Sequence, residues 1–236
     1  MAGALTDGSG SVFLALAIFA FVAAGAAVAY FKLRARQERI AAVAALAQRI
    51  GFSFAAADDE HVVDMPFQLF ARGDGREVEL VISGNHNGVP LRLFDYMYYD
   101  ESSDGKGGRT RSYHRYTCAI ATISASCPRL NLGHETFFTR LGDHLGMGDV
   151  ELEYDDFNRR FRVKCDDQKF AFSLLDGNMM QWLLGTDGFE SVEVDGPWVL
   201  LARDRLDPAQ WLDLANWIDV FVRQIPSVVF STYPPR

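Results

Sequence analysis

Asp95 is a charge where the pattern asks for an apolar side chain. In the stretch VPLRLFDYMYY it falls in phase with Leu91, Leu93, Met97 and Tyr99, so on a strand it shares their face. A carboxylate taken out of water needs a cation or several donors, and His114 or Arg115 on the next stretch could supply one. Two readings stay open. In the first, Asp95, Tyr96 and His114 line a ligand cleft where the carboxylate serves as acid, base or anchor, with Tyr98 close by. In the second, Asp95 is a structural carboxylate in a satisfied network.

The remaining reactive side chains form no familiar constellation. His61, His86, His114, His134 and His144 show no HxH, HxxxH or HxxE spacing, so no metal site is expected. Cys118, Cys127 and Cys165 are odd in number, with no CxxC pair and no flanking signature of a Cys-His hydrolase. They read as free thiols in a reducing compartment. There is no P-loop, no GxGxxG after a strand and no GxSxG, and the glycines of GKGGR precede no helix that could hold a phosphate. No catalytic residue, cofactor or metal is therefore assigned. The expected role is binding or scaffolding, and the alternative is a membrane-tethered enzyme or small-ligand sensor using Asp95, Tyr96 and His114.

What must position these residues begins with VFLALAIFAFVAAGAAVAYF, residues 12–31, which holds no charge. A helix of about 20 such residues spans about 30 Å, the hydrocarbon thickness of a bilayer. A cleaved signal peptide is the competing reading, because Ala27-Val28-Ala29 resembles a cleavage site. Against it, Asp7 is the sole charge ahead of the run, and Lys32, Arg34, Arg36 and Arg39 follow it at once. That flank predicts residues 1–11 outside and the rest of the chain in the cytoplasm. The same four basic residues are candidates for contact with anionic lipid head groups, or they set topology alone.

Division of the charge excludes one class of partner. The chain carries 23 basic and 31 acidic residues, net −8. Four of the basic ones lie at 32–39, and Asp7 and Glu38 are the acidic ones up to that point, so the remainder has 19 basic against 29 acidic, about −10. An acidic domain with no concentrated basic face argues against nucleic acid. It leaves the membrane, a protein partner or self-association.

Along the domain, Ile40, Val43, Ala44, Ala47 and Ile50 form a helical stripe that Gly51 closes, either continuous with the anchor or after a neck near Gln37. Residues 52–75 read as irregular. REVELVIS, with Val78, Leu80 and Ile82 inward and Val81 outward, residues 89–99, and 111–124 predict a three-stranded antiparallel meander. Its turns are Asn85–Gly88 and the polar loop 101–109, and Pro128 stops it. A short helix over 133–146 follows. VELEY (150–154) and RRFRV (159–163) predict a hairpin pairing Glu153 with Arg160, Leu152 with Phe161, Glu151 with Arg162 and Val150 with Val163. That register would neutralise the basic run Arg159, Arg160, Arg162 and Lys164. Two helices lie within 166–184, the second capped by Asp176. Residues 191–194 and 198–203 predict a hairpin about Asp-Gly-Pro, and Asp207, Pro208 and Pro226 punctuate a last helix.

LFDYMYYD with its polar loop and returning strand resembles part of an uncharacterised bacterial family of single-pass membrane proteins. DFNRRFRVKCDDQKFAFSLLDGNMMQWLL is similar to that family's F-x-V strand, D-x-x-x-A helix and L-x-x-x-M-x-x-L-L closing helix, with Leu175-Asp176-Gly177 where Thr-Pro is frequent. The resemblance covers roughly 67–203 and implies a fold, an anchor and a bacterial inner membrane, without an active site. The expected architecture is α+β: a transmembrane helix at 12–31, a juxtamembrane segment at 32–51, a largely antiparallel sheet with helices on one face over 52–230, and a loose tail at 231–236.

Overall fold

The computed structural model describes residues 7–103, 108–135, 137–138, 147–186 and 189–235. The chain divides into two compact units, Met1–Ala42 and Val43–Arg236. The first holds most of helix α1 (Asp7–Ile50), which is unbroken and long and apolar enough to cross a membrane. Its large side chains from Phe13 to Leu33 are exposed, as a lipid-facing surface requires. Gly51, at φ +74, ends α1 in the left-handed conformation, with Phe52 N–H donating to the Ala47 carbonyl at 2.8 Å and Gly51 N–H to Gln48 at 3.4 Å. Val43, Leu46 and Ala47, in the last turns, are buried in the second unit.

The second unit is an α+β domain on one antiparallel sheet, ordered β1-β2-β3-β4-β6-β5 with β7 also paired to β4. The strands are β1 (Ser53–Ala57), β2 (Gly75–His86), β3 (Val89–Ser103), β4 (Arg109–Gly133), β5 (Gly148–Asp149), β6 (Arg162–Cys165) and β7 (Ser191–Asp204). The described α-helices of this unit are α2 (Asp155–Arg160), α3 (Gln168–Leu174), α4 (Gly177–Gly185), α5 (Trp211–Gln224) and α6 (Ser227–Thr232), and the 3-10 turn Pro208–Gln210 leads into α5. Helix α5 packs on β3 and β4 with Trp211, Leu214, Ala215, Ile218 and Phe221 fully buried. Each of the larger ones contributes about 1.5–3 kcal/mol. On the other sheet face, Phe94, Tyr96, Tyr98, Tyr116, Cys118, Ile120, Leu200 and Ala202 are covered by Val62, Phe67, Leu69 and Phe70, with Phe137 and Phe138. Each face has its own cover, so consecutive residues of β3 enter different environments.

Several local expectations hold. Asn87 and Gly88, at φ 52 and 93, form the two-residue turn that joins His86 to its partner Val89. Asp176 accepts the Met179 N–H, and Asp207 with Gln210 forms a capping box around Pro208.

Others are corrected. The alternation in REVELVIS breaks at a bulge between Glu79 and Ile82, where Leu80 takes φ +58 and Val81, expected outside, is buried. The stretch 52–75 holds the edge strand β1 and two 3-10 turns, Val62–Asp64 and Leu69–Ala71. Glu101–Ser103 and Arg109 belong to strands and not to the loop; residues 104–107 lie outside the described residues. Most of the helix expected over 133–146 lies outside them as well. Pro128 does not stop β4, which runs on to Gly133. The register against β7 shifts on both sides of Cys127, and a bulged ladder asks no N–H of a proline.

Both later hairpins are also absent. Ser191–Asp204 is one strand because each half pairs with the long β4 and not with the other half; Gly196, at φ +55, bends it opposite Cys127. Between 150 and 163 the structure forms helix α2, whose first turn holds Asp155 and Asp156 and whose last holds Arg159 and Arg160, matching the helix dipole. Arg162 pairs with Asp149 instead of Glu151, at 2.9 and 3.0 Å, and Arg160 donates to the Leu184 and Thr186 carbonyls. The Val150 N–H does reach the Val163 carbonyl, at 2.9 Å. The tail is fastened: Tyr233 donates its hydroxyl to Asp167 and accepts the Ser126 N–H on its carbonyl.

Candidate functional site

Asp95, Tyr96 and His114 do not meet in one cleft. Asp95 shares the α5 face with Thr117, its partner on β4, whose hydroxyl donates to Oδ1 at 3.0 Å. The cation is Arg205, from the segment after β7, with Nε and Nη2 at 3.1 and 3.0 Å from Oδ2. Neither His114 nor Arg115 supplies it. Tyr96, the next residue on β3, points to the opposite face and donates its hydroxyl to the Leu69 carbonyl at 2.9 Å. His114 pairs in register with Tyr98, stacks on its ring at 4.6 Å and places Nε2 3.2 Å from Asp100.

Tyr96 leads to a different site. The segment that it fastens, residues 63–73, forms with Arg76 and Arg129 a cleft of about 740 Å³. Val63, Met65, Pro66, Phe67 and Phe70 give it an apolar wall, and its charged lining residues are Arg72, Arg76, Arg129 and Asp64. Hydrogen bonds hold the segment to the sheet: Tyr96 donates to the Leu69 carbonyl, Arg76 to the Phe70 carbonyl, and the Glu193 carboxylate on β7 accepts the Gln68 and Leu69 N–H groups at 2.7 and 3.0 Å. Gly73, at φ +68, completes the turn, since a Cβ there would lie 2.6 Å from the Tyr99 carbonyl oxygen and 2.8 Å from the Tyr98 ring.

Electrostatics at the inner end are unusual. Glu193, Asn131 and Lys164 are partners across β7, β4 and β6, and all three are buried. Burial pushes the Glu193 carboxyl up to about 7, against the pull of the two N–H groups and of Arg72; Asp195 adds to the rise. Burial lowers the Arg72 pKa, opposed by Tyr98 and Glu193. Burial likewise raises the Tyr96 phenol. The Gln68 Oε1, Asn131 Nδ2 and Ser191 Oγ atoms are buried without a hydrogen-bond partner among the described residues. A groove that pairs guanidinium groups with an apolar wall can hold a ligand; it offers no nucleophile-base pair.

Sequence reasoning missed Glu193, Arg72, Arg76 and Arg129. The R-x-x-x-R spacing of Arg72 and Arg76 after two phenylalanines was visible, but their meeting with Arg129 and Glu193 is made by the fold alone. Among the described residues no group of three His, Cys, Asp or Glu side chains could hold a metal, and the three cysteines are free and buried. In the first unit, Arg34 pairs with Glu38 at 2.8 Å, one turn away on α1.

No protein-family model matches the chain, and no curated protein matches it. Among solved structures, the crystal structure of the mycobacterial trehalose monomycolate transport factor A, TtfA, is similar with a TM-score of 0.58. The identity is 14%, over 84% of this chain and 97% of that one, so the likeness is one of fold.

Proposed function

We propose that the chain is a membrane-anchored binding module that serves transport at a bacterial inner membrane, with its domain in the cytoplasm and a protein partner or a second copy beside it. The observation that carries this reading is the fold, which it shares with a transport factor over nearly that protein's whole structure, on a chain that begins with a long apolar helix. Tethering raises the local concentration of a binding module without new contacts. The basic flank Lys32, Arg34, Arg36 and Arg39 supports the orientation and offers contact with anionic head groups. The FDYxY strand and the F-x-V and D-x-x-x-A motifs support membership of the uncharacterised bacterial family.

Binding is put forward over turnover because the cleft that the sequence suggested for a tethered enzyme is not assembled: Asp95 is engaged with Arg205 and Thr117, Tyr96 with Leu69, and His114 with Asp100. The test is crosslinking of the full-length tagged chain in native membranes, followed by purification in mild detergent. A membrane transporter or a second copy recovered in stoichiometric amount supports the reading. Recovery of the chain from the soluble fraction, or alone from membranes, overturns it.

A further inference from the structure

The cleft beneath residues 63–73 has a composition at odds with its domain. Around it the chain carries about −10, yet the charges lining the cleft are three arginines and one aspartate. Asp64 is turned to His61, 3.5 Å away. Arg76 gives one N–H to the Phe70 carbonyl and makes no ion pair among the described residues, and Arg129 commits its Nε to Asp166. A guanidinium has five N–H donors in a planar fork, so each of these two retains donors that match a carboxylate or phosphate. Beside them run Met65, Pro66 and Phe67, which a free inorganic anion would leave unused. A volume of about 740 Å³ suits a molecule with a body as well as a head.

We propose that this cleft binds an amphiphile with an oxyanionic head group, the head on Arg76 and Arg129 and the apolar chain along Met65, Pro66 and Phe67. The proposal builds on the binding-module reading and names its ligand class, which that reading leaves open. The head group is read by paired N–H donors and the chain by apolar contact, so affinity requires both parts on one molecule.

The test uses the full-length chain in phosphatidylcholine nanodiscs, titrated calorimetrically with hexyl phosphate, inorganic phosphate and hexyl glucoside. Hexyl phosphate is expected to bind more tightly than either of the others. Arg76→Gln and Arg129→Gln should each weaken it about tenfold, as loss of a charge-assisted pair does. Met65→Gln, which removes apolar surface without adding charge, should also weaken it, while Arg159→Gln on α2 should not. Equal binding of inorganic phosphate would reduce the site to an anion site, and equal binding of hexyl glucoside would show that charge is not read. Either result overturns the proposal, as does hexyl phosphate binding that ignores both arginine variants, or no binding. A partner recovered by crosslinking alongside such a failure would leave the binding-module reading standing and remove only this ligand.

Discussion

Arg205 lays Nε and Nη2 against one carboxylate oxygen of Asp95, at 3.1 and 3.0 Å, across 110 residues of sequence. Asp95 is buried, whereas the Arg205 side chain is 35% exposed, so the two partners do not lose equally when parted. Arg205→Met strands a buried anion and should cost about 3 kcal/mol, the scale for breaking a buried pair from one side. Asp95→Asn keeps the bond from Thr117 and lets the guanidinium reach water or Glu79, 3.5 Å away, so its cost should be smaller. Urea denaturation of the full-length chain in detergent measures both. A larger loss for Asp95→Asn would reverse this account.

The three thiols should be silent in the native protein. Burial pushes Cys118 upward, Cys127 up to about 12 and Cys165 up to about 11, the last opposed by its hydrogen bond to the Asp167 backbone. Thiolate is the reactive form, so at pH 8 an aromatic disulfide reagent should label none of them within minutes and all three after denaturation. Fast labelling of any one would show that its strand opens readily.

Local punctuation was legible because it depends on neighbours in the chain. Asp207-Pro208 starts a helix, Asn87-Gly88 turns a hairpin, and Gly51 ends α1. The failures share another cause. Residues 191–194 and 198–203 looked like hairpin partners because they flank Asp-Gly-Pro, and 150–154 and 159–163 did because their apolar and charged positions complement each other. A 25-residue β4 offers both halves of β7 a better partner than either offers the other, and its length depends on bulges that break the alternation. Tyr96 was singled out for its place beside Asp95, yet adjacency on a strand separates the two. The Glu193 contact to Gln68 spans 125 residues and has no local signature.

Capping ahead of α5 gives a clean local test. Asp207→Ala removes the acceptor for the Ala209 N–H, 2.9 Å away, at an exposed position where little else changes. The expected loss is about 1 kcal/mol, and Asp207→Asn should restore most of it. A loss of the same size for Asp207→Asn would point to charge and not to the cap.

Glu193 makes stability depend on pH with a sign opposite to that of a surface carboxylate. Its pKa in the fold is about 7, against 4.5 for an unperturbed glutamate, because loss of water outweighs the Gln68 and Leu69 N–H groups and Arg72. Between those values the folded state binds the proton and the unfolded state does not. The contribution is therefore fully present below pH 4.5 and is lost as pH rises through 7. Its span is on the order of 3 kcal/mol at most. Asp149, Asp167 and Asp219, whose pKa values are lowered, push the other way, so the observable is the difference between wild type and Glu193→Gln, which does not titrate there. Thermal midpoints of the two proteins between pH 5 and 8 should show the advantage of wild type shrinking as pH rises. A constant or growing advantage would mean that Glu193 is already ionised at pH 5, with the N–H groups and Arg72 prevailing over burial.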